Sequence, residues 1–305
     1  MDAGNTAIIE KILTLKKERN ALFLVHNYQL GEVQDIADFA GDSLELSRKA
    51  ATSDADVIVF CGVHFMAETA AILNPERTVL LPDLHSGCPM ADMINADQLR
   101  ELKKQHPKAK VVCYVNSTAE VKAESDICCT SANAVRIVET LKDAEEVIFV
   151  PDQYLGSYAA EQTGRELILW PGYCPTHARI LPSDIQKRKA EHPDAVVIVH
   201  PECKVETRAL ADAILSTGQM ARFAQETNAT EIIVGTEIGL LHRLRKENPD
   251  KTFIPATEQA VCPRMKLITL ETVLWSLENM ENRITIPEEI RIKAKNAVDR
   301  MLEVR

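Results

Sequence analysis

Three of the eight cysteines are each followed by proline: Cys88 in "SGCPMAD", Cys174 in "GYCPTHA" and Cys262 in "AVCPRMK". They stand 86 and 88 residues apart, a near-equal interval. One such cysteine alone reads as a small buried hydrophobe. Three equivalent ones read as a metal site, because thiolates gathered about one axis offer soft ligands to one centre. Two occupants fit: Zn²⁺ with an open fourth position, or three irons of a [4Fe–4S] cluster whose fourth iron has no protein ligand. Clusters of the ferredoxin type draw several cysteines from one short loop, and that pattern is not present. The chemistry expected is therefore that of an exposed iron acting as a Lewis acid on a hydroxyl or carboxylate. The proline after each cysteine stiffens its loop and removes a competing backbone donor.

A second set consists of hydroxyls. Ser43, Ser131 and Thr217 each follow an aspartate (Asp38, Asp126, Asp212) by five residues, where a turn opens a helix. A hydroxyl there can cap its helix. The same helix end also offers free N–H groups and positive partial charge to an anion. Ser216-Thr217-Gly218 is the richest version, and Gly218 would permit close backbone approach. A third set, His26, Asn27, Tyr28, Tyr114, Asn116, His200 and Glu202, falls at or just past the ends of apolar runs. Singly, each reads as a satisfied buried polar group; together they supply general acids and bases at one mouth. Tyr28, Tyr114, His200 and Glu202 are the catalytic candidates, with Glu202 cycling near neutral pH if desolvation raises its pKa. Cys61 and Cys113 lie in strand-like runs and read as core, as do Cys128 and Cys129; Cys203 adjoins a polar strand end.

The elements that must position these residues repeat three times. "ALFLVHNYQ", "KVVCYVNST" and "AVVIVHPEC" are apolar runs ending in short polar clusters, the signature of buried parallel strands. Each is followed by the aspartate-to-hydroxyl pattern and a stretch of helical period. Then comes a second strand ("DVIVFCG", "EVIFVPD", "EIIVGTE"), another helix-like stretch, a third strand ("TVLLPD", "ELILWPG", "TFIPAT") and Cys-Pro. Helices ending at His106-Pro107 and His192-Pro193 introduce the second and third units. The expected fold is α/β: three similar αβα domains with parallel sheets, in pseudo-threefold arrangement around a central metal-cluster site. The expected domains are 1–88, 89–174 and 175–262. The C-terminal helices of 263–305 are expected to pack back on the first, docking by Ile290, Ala294, Ala297, Val298, Met301 and Leu302. In such folds functional groups gather outside the carboxyl ends of the strands, so all three sets should converge there.

Composition narrows the class. The 305 residues are 46% apolar and 26% charged, with a net charge of −10 spread without blocks. This argues against a nucleic-acid surface, which needs clustered Lys and Arg. No run is apolar enough to span a membrane, and the N-terminal stretch does not read as a signal peptide. A cytosolic protein is expected, whose cysteines are not a disulfide framework.

The strings "VHNYQ", "DIADFAGDSL", "HFMAET", "CPMAD", "YVNST", "TSANA", "HPEC", "STGQM", "GTEIG" and "VCPRMK" resemble the quinolinate synthase family of NAD biosynthesis, in order and at matching spacing from about Ile12 to the last helix. The resemblance implies a [4Fe–4S] cluster held by Cys88, Cys174 and Cys262, with one iron free of protein ligands. It implies condensation of iminoaspartate with dihydroxyacetone phosphate to quinolinate, phosphate and two waters. It also implies a substrate cavity lined by His26, Tyr28, Ser43, Tyr114, Asn116, Ser131, His200, Glu202, Ser216 and Thr217. An aspartate oxidase or dehydrogenase is the implied functional partner. Some family members carry a Cys-x-x-Cys near the last ligand; here that place reads Cys262-Pro-Arg-Met, without the second thiol. A hydro-lyase acting on another hydroxy acid, an iron-sulfur redox sensor and a structural zinc protein are the competing readings of the residues themselves.

Overall fold

The computed structural model describes residues 3–304. Its strands fall into three sheets of identical plan. β1 (Ala21–His26), β2 (Phe39–Gly41), β3 (Val57–Cys61) and β4 (Thr78–Leu80) form the first, in the order β2-β1-β3-β4. β5 (Ala109–Tyr114), β6 (Ile127–Cys129), β7 (Glu146–Val150) and β8 (Ile168–Leu169) repeat that order as β6-β5-β7-β8. β9 (Val196–Val199), β10 (Ala213–Ile214), β11 (Glu231–Gly235) and β12 (Thr252–Pro255) repeat it as β10-β9-β11-β12. The strand pairings are parallel throughout, as the apolar runs predict.

Each sheet has one strand more than the periodicity announces. β2, β6 and β10 are two or three residues long, too short to show an alternation. They are held instead by the repeated aspartate. Oδ2 of Asp38, Asp126 and Asp212 accepts the N–H of Phe23, Val111 and Val197 at 2.8, 2.9 and 2.8 Å. Each aspartate returns its own N–H to the carbonyl of the same residue. The aspartate thus extends the ladder by one side-chain rung before the short strand begins.

The His-Pro exits have a structural use as well. His106 Nδ1 lies 3.1 Å from Glu146 Oε1, and His192 Nδ1 lies 3.3 Å from Glu231 Oε1. Each ties the end of the introducing helix (Ala96–Gln105, Pro182–Glu191) to the start of the strand beside it. The C-terminal helices do not return to the first unit as one body. Leu270–Asn279 packs on Ala3–Glu18 and β3. Glu288–Glu303 buries Ala294, Ala297, Val298 and Met301 chiefly against Ala119–Ala123 and β6 of the second unit, reaching the first through His64–Leu73. Arg300 donates to the Asp126 carbonyl at 2.9 Å, fixing that attachment. Among the described residues no helix is long and apolar enough to cross a membrane.

Candidate active site

The ends of β1, β5 and β9 deliver His26, Tyr114 and His200 to one cavity. Its wall also takes Tyr28, Ser43, Asn116, Ser131, Glu202 and Thr217, together with Cys88, Cys174 and Cys262. The order of strands reverses between the first and third of each unit (β1/β3, β5/β7, β9/β11), and ligands bind outside such a reversal. Of the predicted residues, Ser216 and Asn27 stand behind the wall rather than on it.

The hydroxyls do not cap their helices. Asp42 caps Ser43–Ala51, its Oδ1 accepting from the N–H of Leu44 and Glu45 at 3.0 and 2.9 Å. Ser216 caps Thr217–Glu226 by accepting from Gln219 N–H, and its own hydroxyl donates to Asp42 Oδ2 at 3.1 Å. Ser131 precedes its helix (Ala134–Thr140) by a full turn. Capping by a neighbour leaves Ser43 and Thr217 on the cavity wall. Gly218 is required by this junction, since a Cβ there would stand 2.6 Å from Asp42 Oδ2. The close approach that glycine permits is thus to a carboxylate of the protein. Asn27 supports Thr217 from behind, donating to Oγ1 at 3.0 Å while its Oδ1 accepts from Arg243.

The two strand-end histidines share one orientation. Tyr28 N–H donates to His26 Nδ1 at 3.1 Å, and Glu202 N–H donates to His200 Nδ1 at 3.3 Å. A nitrogen that accepts cannot hold the ring proton, so both neutral rings are protonated at Nε2. Burial pushes both down to about 3, and they stay neutral at physiological pH. His200 Nε2 lies 3.2 Å from Ser131 Oγ and donates to it. His200 is thereby a neutral hydrogen-bond donor at Nε2.

Proton-handling groups form a continuous chain. Tyr28 Oη donates to Thr236 Oγ1 (2.6 Å), and Thr236 Oγ1 donates to His177 Nε2 (2.9 Å). His177 Nδ1 donates to Glu202 Oε2 (2.7 Å), whose Oε1 accepts from Tyr114 Oη (2.5 Å). Burial, with Glu202 adding to it, raises both phenols well above their usual range, so each is a hydrogen donor. Burial would also raise Glu202, but His177, His200 and the Tyr114 hydroxyl outweigh it and lower its pKa. Glu202 is therefore a carboxylate, and the expected upward shift does not occur. The arrangement orients His177 Nε2 as a base, in the manner of a carboxylate-histidine pair beside a hydroxyl.

The three cysteines occupy equivalent frames. Each Cys-Pro leads into a 3₁₀ turn: Ala91–Met93, His177–Arg179 and Met265–Leu267. Backbone N–H groups of these turns face the sulfurs, Ala91 and Met90 for Cys88, His177 for Cys174, Met265 and Arg264 for Cys262. Burial nevertheless raises all three thiols, Cys88 to about 12. A bound cation reverses that balance, and N–H···S contacts are a normal feature of thiolate-held iron-sulfur clusters. The donor set of three free, half-buried thiols on one wall therefore fits such a group. Cys174, His177 and Glu202 also lie within 4.8 Å of one another. As a zinc site this set fails, because His177 Nδ1 and Glu202 Oε2 are 2.7 Å apart. Two ligands of one tetrahedral zinc stand roughly 3.3–3.5 Å apart, so a shared proton accounts for the contact better.

His177, Thr236 and Glu237 are the site residues that the sequence reading passes over. All three were visible beside motifs: His177 three residues after Cys174, and Thr236-Glu237 directly after the second strand of the third unit. Nothing in a single sequence marks them, since the equivalent positions in the first unit are Ala91, Gly62 and Val63. Cys61, Cys113, Cys128, Cys129 and Cys203 are fully buried and absent from the cavity wall.

The family described as quinolinate synthetase A protein matches residues 10–303. A quinolinate synthase of Dehalococcoides mccartyi is 65% identical over 297 residues, 97% of this chain and 98% of that protein. Quinolinate synthase 1 of Methanosarcina acetivorans is 55% identical over 298 residues, 98% of either chain. The quinolinate synthase of Thermodesulfovibrio yellowstonii is 55% identical over 295 residues, 96% of this chain and 97% of its own. With the match running almost end to end, the chain belongs to the quinolinate synthase family of enzymes.

Proposed function

We propose that this chain acts in the cytoplasm to condense iminoaspartate with dihydroxyacetone phosphate, giving quinolinate, phosphate and two waters for NAD biosynthesis. The observation that carries the reading is the convergence of Cys88, Cys174 and Cys262 with the Tyr28–Thr236–His177–Glu202–Tyr114 chain on one cavity. The three cysteines would hold a [4Fe–4S] cluster. When bound, it supplies a Lewis-acidic iron for a departing hydroxyl or a substrate carboxylate.

The protein's own groups divide the remaining work. Ser43, Ser131 and Thr217 offer hydroxyls to the phosphate and carboxylates; neutral His26 adds an Nε2–H donor, and neutral His200 orients the Ser131 hydroxyl, neither adding charge. Neutral donors suit a site that must bind a polyanion and then release phosphate. Isomerising the ketone to an aldehyde moves a proton between adjacent carbons and another between oxygens. His177 Nε2, itself on the wall, takes the proton from one carbon and returns it to the neighbouring carbon, with Glu202 stabilising the imidazolium in between; Tyr28, linked to His177 by Thr236, gives its phenol proton to the ketone oxygen and regains one from the adjacent hydroxyl. Tyr114 holds the intermediate against Glu202, and Asn116, whose buried Oδ1 has no hydrogen-bond partner among the described residues, accepts from the substrate amine. Imine closure and a last dehydration then give the aromatic ring.

Iminoaspartate hydrolyses in water, so an aspartate oxidase or dehydrogenase must supply it nearby. The test is a quinolinate assay on anaerobically reconstituted protein with both substrates. Iron-dependent quinolinate formation is expected. An iron-free, active protein ends the cluster reading, and an iron-loaded protein that forms no quinolinate ends the substrate assignment.

A further inference from the structure

Two residues beyond β3, β7 and β11 stand Val63, Asp152 and Glu237, at equivalent places behind the three cysteine loops. Val63 has no side-chain acceptor. Asp152 is taken up by its own helix: its Oδ1 accepts the N–H of Tyr154 and Leu155, its Oδ2 has no hydrogen-bond partner, and no cation pairs with it among the described residues. Glu237 is different. It is fully buried, its Oε1 accepts from the Cys262 N–H at 3.0 Å, and its Oε2 accepts from the Gly239 N–H at 2.7 Å. Lys266 Nζ lies 3.0 Å from Oε1 and 3.2 Å from Oε2. The same ammonium donates to the Tyr28 carbonyl, in the strand-end loop of the first unit.

Resting on the cysteine-site reading above, we infer that Glu237 is a positioning residue: it fixes the Cys262 loop and, through Lys266, ties that loop to the segment carrying Tyr28. A buried carboxylate needs every one of these donors, so the loop, the lysine and the first unit cannot move apart independently. One ion pair thereby sets the third sulfur and the Tyr28 phenol in register, across a junction between the first and third units. Outer-shell partners of this kind hold ligands in the geometry a metal requires. The first unit, with Val63, holds the Cys88 loop by backbone contacts such as His64 N–H to the Ser86 carbonyl at 2.7 Å. Cys88 is thus the natural internal control.

The experiment compares wild type, Glu237→Leu and Glu237→Gln as full-length chains, both anaerobically reconstituted and after iron removal. Iodoacetamide labelling of the iron-free chains, read by mass spectrometry, gives the rates at Cys262 and Cys88 in the same molecule. Glu237→Leu should raise the Cys262 rate severalfold with Cys88 unchanged. Glu237→Gln, which keeps one oxygen for the Cys262 N–H but loses the Lys266 ion pair, should fall between wild type and Glu237→Leu. In the reconstituted chains, iron release to a ferrous chelator should be about tenfold faster in Glu237→Leu. Equal acceleration at both cysteines would make the effect a general loosening and overturn the proposal, as would no change at Cys262. A wild type that takes up no iron-sulfur cluster would instead remove the cluster reading, while the labelling ratio would still decide on Glu237.

Discussion

Tyr114 and Glu202 meet across the boundary between the second and third units, phenol to carboxylate at 2.5 Å. Tyr114 closes β5, and Glu202 stands three residues past β9. The other carboxylate oxygen is engaged by His177, three residues past Cys174. One buried charge thus joins the general-base chain, the strand-end phenol and a cysteine loop.

Replacing Glu202 by glutamine should test that charge. An amide has one accepting oxygen and cannot satisfy both Tyr114 and the His177 Nδ1–H. The cavity keeps its shape, so binding of quinolinate, followed by the absorption or spin-resonance spectrum of the cluster proposed above, should persist. Turnover should fall by about 10²–10⁴, the usual cost of losing an acid-base group. Wild-type turnover in Glu202→Gln would remove the carboxylate from the mechanism.

Thr236 is a sharper test because its hydroxyl is a relay and little else. Thr236→Val keeps the volume and removes the link between Tyr28 and His177. A hydrogen bond of this sort is worth about 1–3 kcal/mol, which converts to roughly tenfold to hundredfold in kcat. Thr236→Ser should recover most of the rate. Equal kcat values in wild type and Thr236→Val would break the relay.

How far this was legible in the sequence follows from what repeats. The three central strands, the three Cys-Pro loops and the convergence on one cavity recur in each unit, and recurrence is visible in one chain. β2, β6 and β10 were hidden because two or three residues carry no period, although the aspartates that anchor them had been noticed for another reason. His177, Thr236 and Glu237 break the threefold pattern, and a reading built on equivalence passes over what is unique to one unit. Ser43 and Ser216 show the remaining limit: adjacent polar residues at a helix start look alike in sequence. Which one caps depends on Asp42 reaching between two helices.

The aspartate clamp predicts a stability effect separate from catalysis. Asp126→Ala leaves the Val111 N–H without its acceptor and deprives Lys110 of its ion pair. An unsatisfied, partly buried donor costs about 1–3 kcal/mol. The midpoint in urea should drop accordingly while the metal-binding stoichiometry of the folded protein stays the same. A loss of less than about 0.5 kcal/mol, the range of ordinary surface changes, would show that the short edge strand pairs without the clamp.

His26 and His200 predict how stability responds to acid. Both are held near 3 in the folded chain by burial, against 6.5 for an ordinary histidine. Below pH 6.5 the unfolded chain therefore binds protons that the folded chain refuses, and stability falls as pH falls, down towards 3. Well inside that window each histidine contributes a slope of about 1.4 kcal/mol per pH unit. His200→Gln removes one titrating group and should flatten the dependence between pH 6 and 4 by roughly that amount, whatever it does to stability at pH 7. Urea unfolding at several pH values, in excess chelator so that metal loss adds nothing to the slope, measures the difference. If the two curves run parallel, His200 is protonated in the folded protein, and its place as a neutral Nε2–H donor to Ser131 is lost.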